Sequence, residues 1–252
     1  MPDHRLRRGH APAALVLALA TAAACGPAED AATTSKTGSA PAASSAASAA
    51  PASNGVEKLD GAAILARARK ATASARALRV RGTSEEDGEK YAFDFRYAGR
   101  TKASGWFRNG AQRVEIIRVG KDVYLKGNKA FLKTVGGKSA VQLLAGKQMK
   151  TTVKSAGFKE LSFFTDSTAI FDEAVKAGKP WKKGKAGMVG GTPTISLVAA
   201  TGDEMQVATR GAPYVLTVDG GPGNRIEYLP SESPADIRRP PAGTVVDVDG
   251  LK

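Results

Sequence analysis

Tyr91-Ala92-Phe93-Asp94-Phe95-Arg96-Tyr97 is the stretch on which the fold turns. Aromatic side chains fill its odd positions, while Ala92, Asp94 and Arg96 fill the even ones. Successive residues of a strand point to opposite faces, so this alternation describes a strand with one face in an apolar interior and the other in water. Sheets wetted on one side are typically antiparallel. The neighbouring sequence supplies partners: residues 79–84, 102–108, 112–119 and 122–126 carry strand signals, separated by glycine and charged turns, and predict a meander.

Helical periodicity precedes and interrupts these strands. Over residues 60–78, Ile64, Leu65, Ala68, Ala71, Ala75 and Leu78 recur at helical spacing, with Asp60 placed to cap the start. Residues 139–178 read as helical or irregular: Val141, Leu143 and Leu144 form a short apolar patch, and Ile170, Phe171, Ala174 and Val175 share one face of a helix over 166–176. Beyond Trp181, strands are expected at 194–200, 205–209, 214–219 and 225–229, with the turn Gly220-Gly221-Pro222-Gly223-Asn224 joining the last two. The order predicts an α+β domain, one large antiparallel sheet with a few helices on one side.

The N-terminus has a different logic. Arg5, Arg7 and Arg8 precede an apolar, alanine-rich run over residues 11–24, which ends in Ala22, Ala23 and Ala24 before Cys25. A basic segment, a short apolar segment and small residues make a signal peptide, and the run is shorter than the roughly 20 residues a spanning helix needs. Cys25 is the chain's one cysteine and stands where a lipoprotein leader presents the residue to be acylated. The expectation is a signal peptide over 1–24, lipid attachment at Cys25 and an anchor on the outer side of the cell membrane. Residues 26–55 are almost all Ala, Ser, Thr, Pro and Gly. Such a segment buries too little apolar surface to fold, so 25–55 is read as acylated cysteine plus flexible tether, spanning roughly 30 Å as a coil. Residues 56–252 suffice for one well-cored domain and are short for two.

The net charge is +13, of which the leader's Arg5, Arg7 and Arg8 against Asp3 account for +2, leaving +11. Outside a membrane, that charge suits anionic lipid headgroups or phosphate-rich wall polymers; export argues against nucleic acid.

Catalytic patterns are wanting. Both histidines, His4 and His10, lie in the leader, so a mature domain has no Ser-His or Cys-His pair and no His/Cys metal set of its own. Gly137-Lys138-Ser139 lacks the upstream glycine of a phosphate-binding loop, since Leu132 stands there. Glu85, Glu86, Asp87 and Glu89 flank Gly88 in a solvated turn, and Asp247-Val248-Asp249-Gly250 begins like a calcium loop but runs out of chain. Asp172 and Glu173 are helix neighbours that do not face one another. The reading is a non-enzyme with no catalytic residues, no metal and no cofactor.

The C-terminal third carries a family likeness. Val189-Gly190-Gly191-Thr192-Pro193, the run from Met205 through Gly211-Ala212-Pro213-Tyr214-Val215-Leu216, the closing Pro240-Pro241-Ala242-Gly243-Thr244-Val245-Val246-Asp247-Val248 and the internal Leu144-Ala145-Gly146-Lys147 resemble actinobacterial lipoproteins of the LppX/LprG type. That resemblance implies a fold similar to the lipoprotein carrier LolA: a curved half-barrel sheet around a few helices, with an apolar cavity for acylated glycolipids or related lipids. Where the family has tryptophans, this chain has Gln148 and Leu132. Candidate cavity residues are Tyr91, Phe93, Phe95, Phe107, Val114, Ile116, Phe131, Phe163 and Phe171. A sixteen-carbon chain entering water forfeits about 12 kcal/mol at about 0.8 kcal/mol per methylene, so a sheltering face with basic residues at its rim for a phosphate is physically useful. The alternative is an envelope protein that binds another protein or a wall polymer without carrying lipid, its apolar strand faces packing a solid core.

Overall fold

A computed structural model describes residues 52–86 and 88–250. The leader, Cys25 and most of the tether fall outside the described residues. Helices are α1 (Gly61–Ala73), α2 (Lys129–Leu144), the single turn α3 (Lys159–Ser162) and α4 (Ser167–Ala177). Strands are β1 (Ala77–Glu86), β2 (Glu89–Ala98), β3 (Lys102–Asn109), β4 (Gln112–Val119), β5 (Asp122–Gly127), β6 (Gln148–Thr152), β7 (Trp181–Val189), β8 (Thr192–Ala199), β9 (Glu204–Ala208), β10 (Val215–Asp219), β11 (Arg225–Ser231) and β12 (Val245–Asp247).

All twelve strands form one sheet in the order β12-β6-β5-β4-β3-β2-β1-β11-β10-β9-β8-β7. The fold is α+β, and the sheet is open, with β12 and β7 as its edges. Two meanders compose it. One runs outward from β1 to β6; the other starts at the far edge with β7 and returns inward, so that β11 pairs with β1. The sheet is mixed rather than wholly antiparallel, because residues 232–244 carry the chain from β11 back to the first edge and β12 there runs parallel to β6. Along that crossover Ile237 is buried and Arg239 pairs with Asp122.

Asp60 caps α1, accepting a 2.8 Å hydrogen bond from the Ala63 amide. The helix stops at Ala73 instead of reaching Leu78, which lies in β1. From Ala77 onward β1 is bonded along both edges, to β2 and to β11, and that double ladder outweighs a helical spacing carried by small residues. Three further elements depart from expectation. The middle segment contains β6, and α2 begins at Lys129 with Asn128 as its cap, breaking at Gly136-Gly137, where Gly137 has φ 67°. β7 gives no alternating signal because Lys182, Lys183, Gly184, Lys185 and Gly187 occupy it. It is an edge strand, where lysines discourage pairing with another chain.

The helices cover one face of the sheet, the inner face. Val80, Phe95, Ile116, Leu197, Met205, Val207 and Tyr228 from six strands are fully buried, together with Ile64 and Ala68 of α1 and Ile170 and Phe171 of α4. Each large apolar side chain so buried contributes about 1.5–3 kcal/mol. The Trp181 indole donates to the Val175 carbonyl at 2.9 Å and ties the β7 edge to α4. Two glycines set how closely aromatics lie on the sheet. Gly82 sits opposite Phe93 and Gly105 opposite Phe95, and a Cβ on Gly105 would fall 2.2 Å from the Asp94 carbonyl oxygen.

Candidate functional site: a partly open aromatic face

Strand register places the odd-numbered aromatics of β2 on the inner face. Tyr97 and Phe95 pair with Leu78 and Val80 of β1, while Phe93 and Tyr91 pair with Gly82 and Ser84. Burial falls along this row. Phe95 and Tyr97 are fully enclosed, and so are Val114 and Ile116 on β4; Phe93, Tyr91 and Phe107 are only half-buried. The row is therefore closed at the β2–β3 end and partly open toward the β1–β2 turn. Tyr91 and Phe107 stack with centroids 6.2 Å apart.

Phe164 sits at the centre of the cluster. Its ring centroid lies 4.6 Å from Phe107, 5.5 Å from Phe93, 5.8 Å from Phe95 and 5.2 Å from Phe163. It is carried not by a helix or strand but by the 3-10 turn Phe163–Thr165, between α3 and α4. Two groups from the sheet hold that turn. The Tyr97 hydroxyl donates to the Phe164 carbonyl at 2.7 Å, and the Arg118 guanidinium donates to the Thr165 carbonyl at 3.3 Å. Burial pushes the Tyr97 phenol well above its ordinary pKa, and nearby Tyr228 and Asp166 push it the same way, so it stays a neutral donor. Beside Phe93 a pocket of about 170 Å³ opens between the sheet and α4, bordered by Ala174, Val218 and Ile226.

The sequence candidates divide accordingly. Tyr91, Phe93, Phe107 and Phe163 gather at the partly open end of the face. Phe95, Val114 and Ile116 lie on the same face but within the packed core. Phe171 meets Tyr228 edge to face at 6.4 Å and belongs to that core rather than to the opening. Phe131, on α2, rests on Gly127, where a Cβ would be 2.3 Å from its ring. Phe164 is the member that sequence reasoning missed. Its signal in the sequence is the Phe163-Phe164 doublet.

The outer face is polar and holds wider grooves. One, of about 340 Å³, runs over β1, β2, β3 and β11; another, of about 580 Å³, lies where residues 229–236 leave the sheet near Arg79 and Arg96. Arg79 pairs with Asp94 through both guanidinium donors, and this hydrogen bonding holds the Asp94 carboxyl below its ordinary pKa against the opposing effect of burial. Burial raises the Glu227 carboxyl, but hydrogen bonds from Arg81 and Arg225 outweigh it, and the net shift is downward.

Among the described residues no three His, Cys, Asp or Glu side chains gather as a metal site, and no helix is long and apolar enough to cross a membrane. No family model matches the chain, and no curated protein is significantly similar to it.

Proposed function

We propose that this domain binds the acyl chain of a lipid or glycolipid against the inner face of its sheet and carries it in the cell envelope, held to the outer side of the membrane through acylated Cys25. The observation that carries the reading is the half-buried cluster of Tyr91, Phe93, Phe107 and Phe164 at the partly open end of an otherwise sealed core. A large open sheet with helices on one face is also the layout expected of a LolA-like carrier. The pocket beside Phe93, at about 170 Å³, is smaller than the roughly 300–1,000 Å³ of ordinary ligand sites. Entry of an acyl chain therefore requires the Phe163–Thr165 turn to withdraw, and Phe164 fills the ligand's place until it does. Exposed basic residues near this end, among them Arg108, Lys90 and Lys129, suit the phosphate of an anionic headgroup.

The test is a titration of residues 25–252, carrying Cys25→Ser, with a fluorescent phospholipid presented from anionic vesicles. Saturable uptake that is abolished by Phe93→Asp, with the far-ultraviolet circular dichroism unchanged, supports the reading. Uptake that is absent, or unaffected by Phe93→Asp, refutes it and favours the alternative, an envelope protein binding another protein or a wall polymer. The polar grooves of the outer face are the feature that favours that alternative.

A further inference from the structure

The groove of about 340 Å³ on the outer face has a construction that solvated sheet surfaces do not need. Its floor is the cross-strand pair Thr83 and Ala92, two small residues side by side at the centre of the sheet. Larger residues rise on both sides: Trp106 of β3 on one, Arg225 and Glu227 of β11 on the other. The next rung runs Glu227–Arg81–Asp94–Trp106 across four strands. The side chains of these walls are already paired or stacked with neighbours. Arg113 stacks on the indole of Trp106 with its guanidinium carbon 4.3 Å from the ring centroid. Glu227 bridges Arg81 and Arg225, and Arg225 also pairs with Asp219 at 3.0 Å.

We infer that this groove is a binding site for a neutral saccharide unit. The volume lies within the range of small-ligand sites. An indole ring offers the apolar face of a pyranose a flat partner, and charged groups already paired with one another present donors and acceptors at a lowered ordering cost. The charge balance selects the ligand class. Arg81 and Arg225 against Asp94 and Glu227 leave the lining neutral, although the chain as a whole is strongly basic. A polyanion gains little there, whereas hydroxyls that both donate and accept are matched by every group present. Gly82 and Phe93 of the inner-face register also border the groove, whose walls otherwise belong to the outer face.

Trp106 also supplies the readout. The other tryptophan, Trp181, is buried at the β7 edge, so Trp181→Phe leaves Trp106 as the one tryptophan. In residues 25–252 with Cys25→Ser and Trp181→Phe, titration with a panel of neutral gluco-, manno- and arabino-oligosaccharides is expected to change Trp106 emission saturably in the millimolar range or below for at least one member. For that member, calorimetry of the chain with Trp181 intact is expected to show affinity lowered at least about tenfold by Trp106→Ala and by Glu227→Gln. If Trp181→Phe impairs folding, the same calorimetry on the unaltered chain serves as the primary measurement. Equal affinity for a free glycan and for the same glycan on an acyl chain supports recognition of the saccharide alone. No saturable binding by any member overturns the inference; so does binding confined to the acylated form that survives Trp106→Ala and is lost with Phe107→Asp, since Phe107 belongs to the inner aromatic face and does not border this groove.

Discussion

The Tyr97 hydroxyl reaches across the domain interior to the main-chain carbonyl of Phe164, 2.7 Å away, so the central strand β2 holds the turn that fills its own aromatic face. One buried hydrogen bond of this kind is worth about 1 kcal/mol. Tyr97→Phe removes it without emptying the ring's place in the core. The expected result is a stability loss of about 1 kcal/mol by urea unfolding, with faster amide hydrogen exchange in residues 156–166 than elsewhere. Uniform acceleration across the domain would show that the bond does not specifically hold this turn.

Phe164→Ala separates filling from binding. Removing a half-buried ring costs about 2 kcal/mol, less than the 3–5 kcal/mol of a fully buried one. If Phe164 occupies the ligand's place, the variant is less stable yet takes up an acyl probe more tightly than the parent. A loss of uptake in a folded variant would make Phe164 part of the ligand's wall instead.

Tyr228 is fully buried against Phe171, and its hydroxyl has no hydrogen-bond partner among the described residues. An unpaired buried hydroxyl costs about 1–3 kcal/mol. Tyr228→Phe should therefore leave stability unchanged or raise it, whereas Phe171→Ala, which empties the same contact, should lower it by about 3–5 kcal/mol. Thermal unfolding of the two variants beside the parent decides the matter; a clear loss of stability in Tyr228→Phe would contradict it.

Arg79 and Asp94 give the outer face a pH dependence with a definite sign. The Asp94 carboxyl is depressed in the folded state, so its contribution is present above its unfolded pKa, near about 4, and is lost as pH falls through the lower folded value. The pair is partly exposed, and its worth is about 1 kcal/mol or less. Asp94→Asn should cost that much at pH 7, and the gap from the parent should close on acidification below about pH 4. Urea midpoints at several pH values test this; a gap that persists in acid would assign the loss to packing.

Gly105 tests the close seating of Phe95. Because an added Cβ would meet the Asp94 carbonyl oxygen at 2.2 Å, Gly105→Ala forces β2 and β3 apart. A loss of more than about 2 kcal/mol is expected, beyond the 1–3 kcal/mol typical of overpacking only if the backbone cannot shift. A neutral substitution would mean that the two strands separate easily.

What could be read from the residues follows how local their determinants are. Residues 91–97 announced a half-buried strand because alternation is a local property, and Asp60 announced a cap for the same reason. The end of α1 was not legible: Ala75 and Leu78 continue a helical spacing, and pairing with β2 on one edge and with β11, far along the chain, on the other draws the segment from Ala77 into a strand. β7 was hidden by its lysines, which serve an edge rather than a core, and β12 by its shortness and its parallel partner β6. At the site, the β2 aromatics and Phe107 were legible from pattern. Phe164 was not, because a residue in a short turn has no periodicity and its place in the cluster is set by Tyr97 and Arg118. The separation of Phe171 from the opening likewise rests on Tyr228, a contact between distant segments.

The most direct test of the acyl-binding claim is native mass spectrometry, with lipid extraction, of residues 25–252 carrying Cys25→Ser, exported from a high-GC actinobacterial host and purified without detergent. Acyl binding on the inner face predicts a bound acyl lipid in the parent, more of it in Phe164→Ala, and none in a folded Phe93→Asp variant. A parent domain that is free of lipid and stays so when offered an extract of envelope lipids would contradict it.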